Sequence, residues 1–427
     1  MLIKKINFNS NNLINILIAL IPLSLIVGNL ITNLNVVLII LAGIFIYKSE
    51  IFIVNEKIYR YLIYAFFLYL VAVTLARNIP NLDGNILYKE HIIKSFLFLR
   101  FLLFFLVINK VVEKKHFNIN YFLISCSFFA TAVGIDIIIQ TVFGKNIFGY
   151  PITAYRPSSF FGSENIAGGF LQKFSLFFIV LIVSYVKKNK KNIFIILSSL
   201  FFLFSIILTG NRMSSLLFVF SIIIFYLLEK QFKKILIFFT LSLLIVFTLV
   251  KYPLTERIDL QFKSFYTDSV EIVKKVPELF YYNTYKGEEI INTGPSGYLV
   301  IFNSGVQVWK QNKIFGGGLK SFRLNCIYGN SQTCNSHPHN YSIELLVDVG
   351  IVGFILIYLI FIFSFFDYFK YYRQNLNSKI QTAPFFLIIF LEFFPMRSTG
   401  SFFTTSVATV IFLMLAIMMG FSNSRVK

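Results

Sequence analysis

Two of the chain's four histidines fall within one short stretch, His337-Pro338-His339-Asn340. Imidazole is the side chain whose ordinary pKa lies nearest neutrality, so a loop histidine can take the proton of an attacking hydroxyl. The stretch lies in a polar segment after Cys334, immediately before an apolar run that contains Gly350 and Gly353. His339 is the candidate general base; the competing role is structural, at the start of the following helix. Pro338 restrains the backbone between the two rings and limits how both can point to one place. His337, Asn340 and Glu344 are therefore assigned supporting roles. Two histidines alone do not complete a metal site, and Glu344 and Asp348 lie farther along the next helix, so no metal is assigned. His91 and His116 lack such a context and are expected to be solvated.

Anion recognition is the second chemistry suggested by residue type. Arg212 follows Thr209-Gly210-Asn211 at a very tight turn between two apolar runs. Its planar fork can hold a phosphate through two bonds at once; the alternative is an arginine snorkelling to lipid headgroups. Arg156 opens the segment Arg156–Asn165, Arg323 follows a glycine turn, and Arg397 lies in Arg397-Ser398-Thr399-Gly400-Ser401 between the last two runs. Each of these three alone reads as a solvated or headgroup-facing arginine. All four fall on the same side as His339, and together they suggest an anion site that a pyrophosphate-linked lipid would satisfy. Arg100 and Lys173 sit inside apolar runs, where charge is costly; Asp136 is a candidate partner for either.

The elements that must position these groups are membrane helices. Hydrophobic residues make up 57% of the 427 residues and charged residues 14%, with mean hydropathy +0.74. Apolar runs of about 20 residues each read as spans. There are about 12 of them, the first two at 12–32 and 34–47, the eighth at 213–228 and the eleventh at 382–394. The expected fold is an all-α polytopic membrane protein with about 12 transmembrane helices and one large periplasmic loop containing short helices. Residues 1–250 carry the first nine helices, 251–342 the loop, and 343–427 the last three with a cytoplasmic C-terminus. Basic clusters such as Lys187/Lys188/Lys190/Lys191 and Lys230/Lys233/Lys234 alternate with connections poor in lysine, which places both termini in the cytoplasm. That distribution also accounts for the net charge of +20 without nucleic acid as a partner.

Within the loop, segments 254–280 and 298–312 suit short interfacial helices, and Trp309, the one tryptophan, suits an interfacial position or ordinary loop packing. Cys326 and Cys334, eight apart, are expected to form a disulfide in an oxidising outer compartment, whereas Cys126 reads as inert packing. Gly316-Gly317-Gly318 has no strand–helix unit around it and reads as a tight turn rather than a nucleotide loop. A transporter would favour internal repeats, and none is visible.

Four of these segments resemble the O-antigen ligase family of bacterial inner-membrane proteins. Arg156–Asn165 resembles the family's Arg-x-x-Gly-x-Phe-x-x-x-Asn element, with Ser159 in place of Gly and with Ala167-Gly168 following. Thr209-Gly210-Asn211-Arg212 resembles its Thr-Gly-Ser-Arg turn. Ile314–Phe322 resembles its glycine turn. His337-Pro338-His339-Asn340, with Glu344, Gly350 and Gly353, resembles its His-Asn signature. The resemblance covers about residues 150–360. It implies a metal-independent, cofactor-free glycosyl transfer at the periplasmic face of the inner membrane. The donor is a glycan on undecaprenyl pyrophosphate, and the acceptor is the lipid A-core oligosaccharide, or another lipid-linked repeat unit in a related polymerase. It implies His339 as base and arginines on the pyrophosphate: Arg212 by motif, Arg156 less directly, Arg323 and Arg397 by placement. A protein O-glycosyltransferase and a lipid-linked glycan flippase are the remaining alternatives.

Overall fold

The structure, a computed structural model, describes residues 10–53, 58–82, 86–152, 156–228, 232–254, 270, 274, 297–326, 336–374, 379–394 and 397–423. Among these residues every extended element is a helix and there is no β-strand, only an isolated bridge between Lys145 and Pro151. Among the described residues, nine helices are long and apolar enough to cross a membrane, and Arg212–Leu228 and Ile380–Glu392 are shorter apolar helices. The chain is an all-α, multi-pass membrane protein. The first expected run, 12–32, is divided into α1 (Ser10–Ala19) and α2 (Ile21–Val27), and α3 (Asn29–Tyr47) begins directly after Gly28. Gly28 has φ +128°, a backbone conformation that glycine adopts without steric cost, so the break falls there rather than after residue 32.

The chain divides into two compact units. Unit 1 comprises Met1–Ile46, Val111–Tyr266 and Tyr371–Leu391. Its centre is α7 (Ile119–Phe143) packed on α8 (Ala167–Tyr185), with α9 (Lys188–Leu208), α10 (Arg212–Leu228) and α11 (Phe232–Lys251) continuing the bundle. α8 is buried along most of its length, as a helix apolar on all faces must be in a bundle core. Asn118 starts α7 by accepting the Asn120 N–H, and Gly144, left-handed at φ +75°, stops it.

Unit 2 comprises Tyr47–Lys110, Thr267–Lys370 and Glu392–Lys427. It contains α4 (Ile58–Asn78), α5 (Ile86–Phe98), α6 (Arg100–Glu113, as far as Lys110), α12 (Gly297–Gln311), α13 (Phe322–Asn325), α14 (Tyr341–Gln374, as far as Lys370) and α16 (Thr405–Asn423); α15 (Lys379–Glu392) belongs to unit 1 as far as Leu391. Residues 408–420 of α16 are all buried, which makes it the core helix of the unit. Phe67, Phe98, Phe101, Phe402 and Phe412 interlock in stacked, tilted and edge-to-face pairs with centroids 5.1–6.2 Å apart. Pairs of this kind contribute roughly 0.5–1.5 kcal/mol each beyond area burial. Phe402 and Phe403 come from the polar turn before α16, so this aromatic core anchors the turn as well as the helices.

α12 occupies most of the short helix expected at 298–312. Trp309 packs partly buried against the cluster of Phe302, Val306, Phe322, Ile343 and Val347, and its indole N–H donates to the Lys313 carbonyl at 3.1 Å. It is a packing residue of this cluster. The expected helix at 254–280 lies outside the described residues, apart from residues 254, 270 and 274.

Candidate functional site

The helix that carries the histidine motif is broken. α14 has a non-helical residue at Gly350 (φ 63°, ψ −170°), which frees backbone groups on both sides of the break. In a membrane each such group left unpaired costs several kcal/mol. The 313–318 turn satisfies them. Gly317 and Gly318 donate to the carbonyls of Val347 (2.9 Å) and Asp348 (2.8 Å), while Ile351 and Val352 donate to those of Lys313 (3.0 Å) and Ile314 (3.2 Å). A Cβ on Gly316 or Gly350 would fall on the backbone of the facing segment, which explains glycine at both positions. α4 secures the other side of the turn: Arg77 Nε donates to the Gly316 carbonyl (3.1 Å) and Thr74 Oγ1 accepts the Leu319 N–H (2.9 Å).

Two buried carboxylates one helical turn apart on α14 then hold two different loops. Asp348 accepts the N–H of Lys320 (2.8 Å), the N–H of Ser321 (3.0 Å) and the Ser321 hydroxyl (3.0 Å). Glu344 accepts the Ser401 hydroxyl (2.5 Å) and the Phe402 N–H (2.6 Å). Sequence reading placed both residues only as weak metal ligands or supports. The signal that pointed further was the presence of two acids inside an apolar run, where charge is retained for a purpose.

His339 sits between these anchors with its backbone left-handed at φ 52°. Its carbonyl accepts the Thr399 N–H (2.8 Å), and its Nδ1 lies 3.2 Å from the Thr399 carbonyl. A carbonyl only accepts, so Nδ1 donates; in the neutral ring the lone pair is then on Nε2. Burial depresses the His339 pKa below its ordinary value, against the opposing pull of the Thr399 carbonyl. The ring is therefore neutral at pH 7 and oriented, which are the two conditions for a general base. Asn340 caps α14 by accepting the Ile343 N–H (3.1 Å), and its amide donates to the Arg397 carbonyl (3.0 Å).

His337 stacks obliquely on His339 with centroids 4.2 Å apart, and its Nδ1 lies 2.9 Å from the Ser336 hydroxyl. Burial, followed by repulsion from His339, pushes its pKa down to about 4. Among the described residues no group of three or more His, Cys, Asp or Glu side chains converges as a metal site would require.

The arginines separate. Arg397 is 6% exposed, and its Nη1 lies 3.0 Å from Glu392 Oε1, in an ion pair beside Tyr341, whose hydroxyl donates to Glu392 (3.2 Å). Arg323 is exposed on α13, in the same unit as His339. Arg156 and Arg212 belong to unit 1. There the two arginine motifs meet: a Cβ on Gly168 would strike the Thr209 hydroxyl and touch Asn211, so the turn packs on the start of α8. Asn211 caps α10 by accepting the Ser214 N–H (3.1 Å). Arg212, half-exposed, lines an apolar cavity of about 170 Å³ with Leu203, Ile207, Leu216, Phe239 and Val246.

Ser159, at the family's glycine position, adopts φ 53°. Its hydroxyl donates to Asp136 (2.7 Å), its N–H to Gln140 (2.8 Å), and its carbonyl accepts from Asn146 (2.9 Å), so side-chain bonds offset a conformation glycine would adopt freely. Asp136 also accepts the Ile147 N–H. It serves this loop rather than pairing with Lys173 or Arg100; Arg100 instead donates to Leu97 O and Thr405 Oγ1. His91, expected to be solvated, is fully buried because α5 turns it into unit 2. Cys326 is disulfide-bonded and Cys126 is free and buried; Cys334, the expected partner of Cys326, lies outside the described residues.

Residues 197–358 match the family model described as O-Antigen ligase. The matched segment includes the Thr209–Arg212 turn, the glycine turn and the histidine motif, and it bears out the resemblance over those residues. It supports membership of the O-antigen ligase and polymerase type, whose members are glycosyltransferase-like enzymes acting on lipid-linked glycans. No curated protein matches the chain.

Proposed function

We propose that this protein is an O-antigen ligase of the bacterial inner membrane, transferring a glycan from undecaprenyl pyrophosphate to the lipid A-core oligosaccharide at the periplasmic face. The observation that carries the reading is the Thr399 carbonyl on His339 Nδ1, which orients the ring and, in its neutral form, puts the lone pair on Nε2, the nitrogen assigned to proton transfer. In the proposed step the acceptor hydroxyl oxygen attacks the anomeric carbon of the donor sugar. His339 Nε2 takes the hydroxyl proton, the bond from the anomeric carbon to the phosphate oxygen breaks, and undecaprenyl pyrophosphate leaves with the electron pair. Attack from the face opposite the leaving group inverts the anomeric centre. Pyrophosphate is already a good leaving group, so the remaining demand is positive charge where its negative charge grows. Arg212, with Arg156 and Arg323, is assigned to that task. Arg397, buried against Glu392, is assigned to holding the Thr399 segment.

The test is transfer in proteoliposomes containing purified protein and a lipid-linked glycan, with lipid A-core or a second lipid-linked repeat unit as acceptor. Product on lipid A-core that needs His339 and persists in chelator is the expected result. Elongation of lipid-linked glycan alone would reassign the protein as the polymerase, and a chelator-sensitive, metal-rescued activity would replace the base mechanism.

A further inference from the structure

The glycine-rich turn beside the histidines invites comparison with phosphate-binding loops, which cradle anions through backbone N–H groups. Here the backbone is already committed. Gly317 and Gly318 donate to Val347 and Asp348 carbonyls, Leu319 to Thr74 Oγ1, and Lys320 and Ser321 to the Asp348 carboxylate. Five consecutive N–H groups are consumed, so the turn has no backbone donors left for a ligand. What it presents instead is a side chain.

Lys320 has φ +59°, unfavourable for a residue with a Cβ, and buried Asp348 holds it there. Its ammonium is half-buried, within electrostatic reach of Lys94, Arg323 and His337. Among the described residues neither Lys320 nor Arg323 forms a salt bridge, while Lys94 is paired with Glu90 at 2.7 Å. His91, fully buried and with neither ring nitrogen hydrogen-bonded among the described residues, lies within the same electrostatic reach of Lys94, Lys320 and Arg323. Burial, then repulsion from Lys94 and Arg323, draws the Lys320 pKa down, although Glu344 and Asp348 pull it up. Such a cluster is stabilised by an incoming anion, and it acts on His337, which stacks on the candidate base.

We propose that Lys320 is an anion-binding residue of this site, taking a phosphate oxygen of the lipid pyrophosphate together with Arg323. The proposal rests on the donor reading above. Asp348 is the positioning residue: by fixing the Lys320 and Ser321 backbone it sets where the ammonium stands relative to His339.

The test measures undecaprenyl pyrophosphate binding to the full-length protein in phosphatidylcholine nanodiscs, by fluorescence of Trp309, with thermal unfolding as the folding control. K320A is expected to bind roughly tenfold more weakly, the scale of one charge-assisted hydrogen bond, and to raise the donor KM more than it lowers kcat. K320R is expected to stay within about threefold of wild type, and D348N to weaken binding like K320A although it keeps the lysine. Wild-type affinity in a folded K320A protein, with R212A impaired, overturns the Lys320 assignment and leaves the donor reading standing. Absence of undecaprenyl pyrophosphate binding by the wild type overturns both. A K320A defect seen only for phosphatidylglycerol nanodiscs would make Lys320 a headgroup contact and also overturn the proposal.

Discussion

Arg212 in unit 1 and Arg397 in unit 2 lie in similar surroundings along the chain, each in a short polar turn between apolar helices. Their tertiary settings are opposite. Arg397 is buried and ion-paired with Glu392, inside a set of side chains that hold one another: Glu392 with Tyr341, Asn340 with the Arg397 carbonyl, Thr399 with His339, Glu344 with Ser401 and Phe402. Arg212 is half-exposed at the start of α10 and lines an apolar cavity. Arg397, a buried cation with its own carboxylate, is part of the scaffold, whereas Arg212 lines an apolar recess, where we propose that it meets the lipid pyrophosphate. The contrast predicts that substitutions around His339 act through geometry and stability, and that substitutions at Arg212 act through affinity.

The largest effect is expected where the interlocked set ends in chemistry. His339→Ala should lower turnover at saturating donor by about a hundredfold to ten-thousandfold, the range for a positioned base, while leaving donor binding near wild type. Wild-type turnover in this variant would remove the reason for regarding unit 2 as the catalytic region.

Next in size, Arg397→Gln should cost about 3–5 kcal/mol, because it leaves Glu392 buried without its cation. Folded yield and thermal unfolding read that loss. Arg212→Gln should unfold like wild type and instead raise the donor KM, with Arg212→Lys also impaired because the fork is lost. If both arginine variants lose stability equally, the contrast fails.

Glu344→Gln is expected to be milder. One acceptor oxygen becomes an amide donor, so Ser401-Phe402 loosens and the Thr399 carbonyl drifts from His339. Turnover should fall roughly tenfold, and the pH profile of kcat/KM should change as well. A general base is lost as pH falls through its pKa. Burial already sets the His339 value below about 6.5, and the Thr399 carbonyl pulls it up. Weakening that contact should therefore move the acid limb to still lower pH. An unchanged limb would mean that Glu344 acts on the fold alone.

The smallest effect is predicted for His337→Ala. With its pKa near 4, His337 is neutral across the physiological range and exchanges no proton there. Turnover within about threefold of wild type is expected, against the hundredfold or more for a working base.

Much of the fold could be read from the sequence because bilayer thickness sets a length and lipid excludes polar groups, so each apolar run declares a helix. The division of the first run at Gly28 was missed because hydropathy is blind to φ. His339, Asn340 and Glu344 were legible as a motif at the head of a helix. Thr399 and Ser401 were not, because their roles depend on a turn some 60 residues away folding against that helix. His91 was misplaced for a similar reason: which face of α5 turns inward is decided by packing.

By itself the sequence determined that this is a helical membrane protein and which loops carry its ionisable residues, since both follow from hydrophobicity counted along the chain. The tertiary structure alone decided that the glycine turn spends its N–H groups on the broken α14 and that Lys320 is what the turn presents. It also decided that Arg397 is neutralised while Arg212 is half-exposed. Those outcomes depend on which donors meet which acceptors across distant segments, and linear spacing carries no record of that pairing.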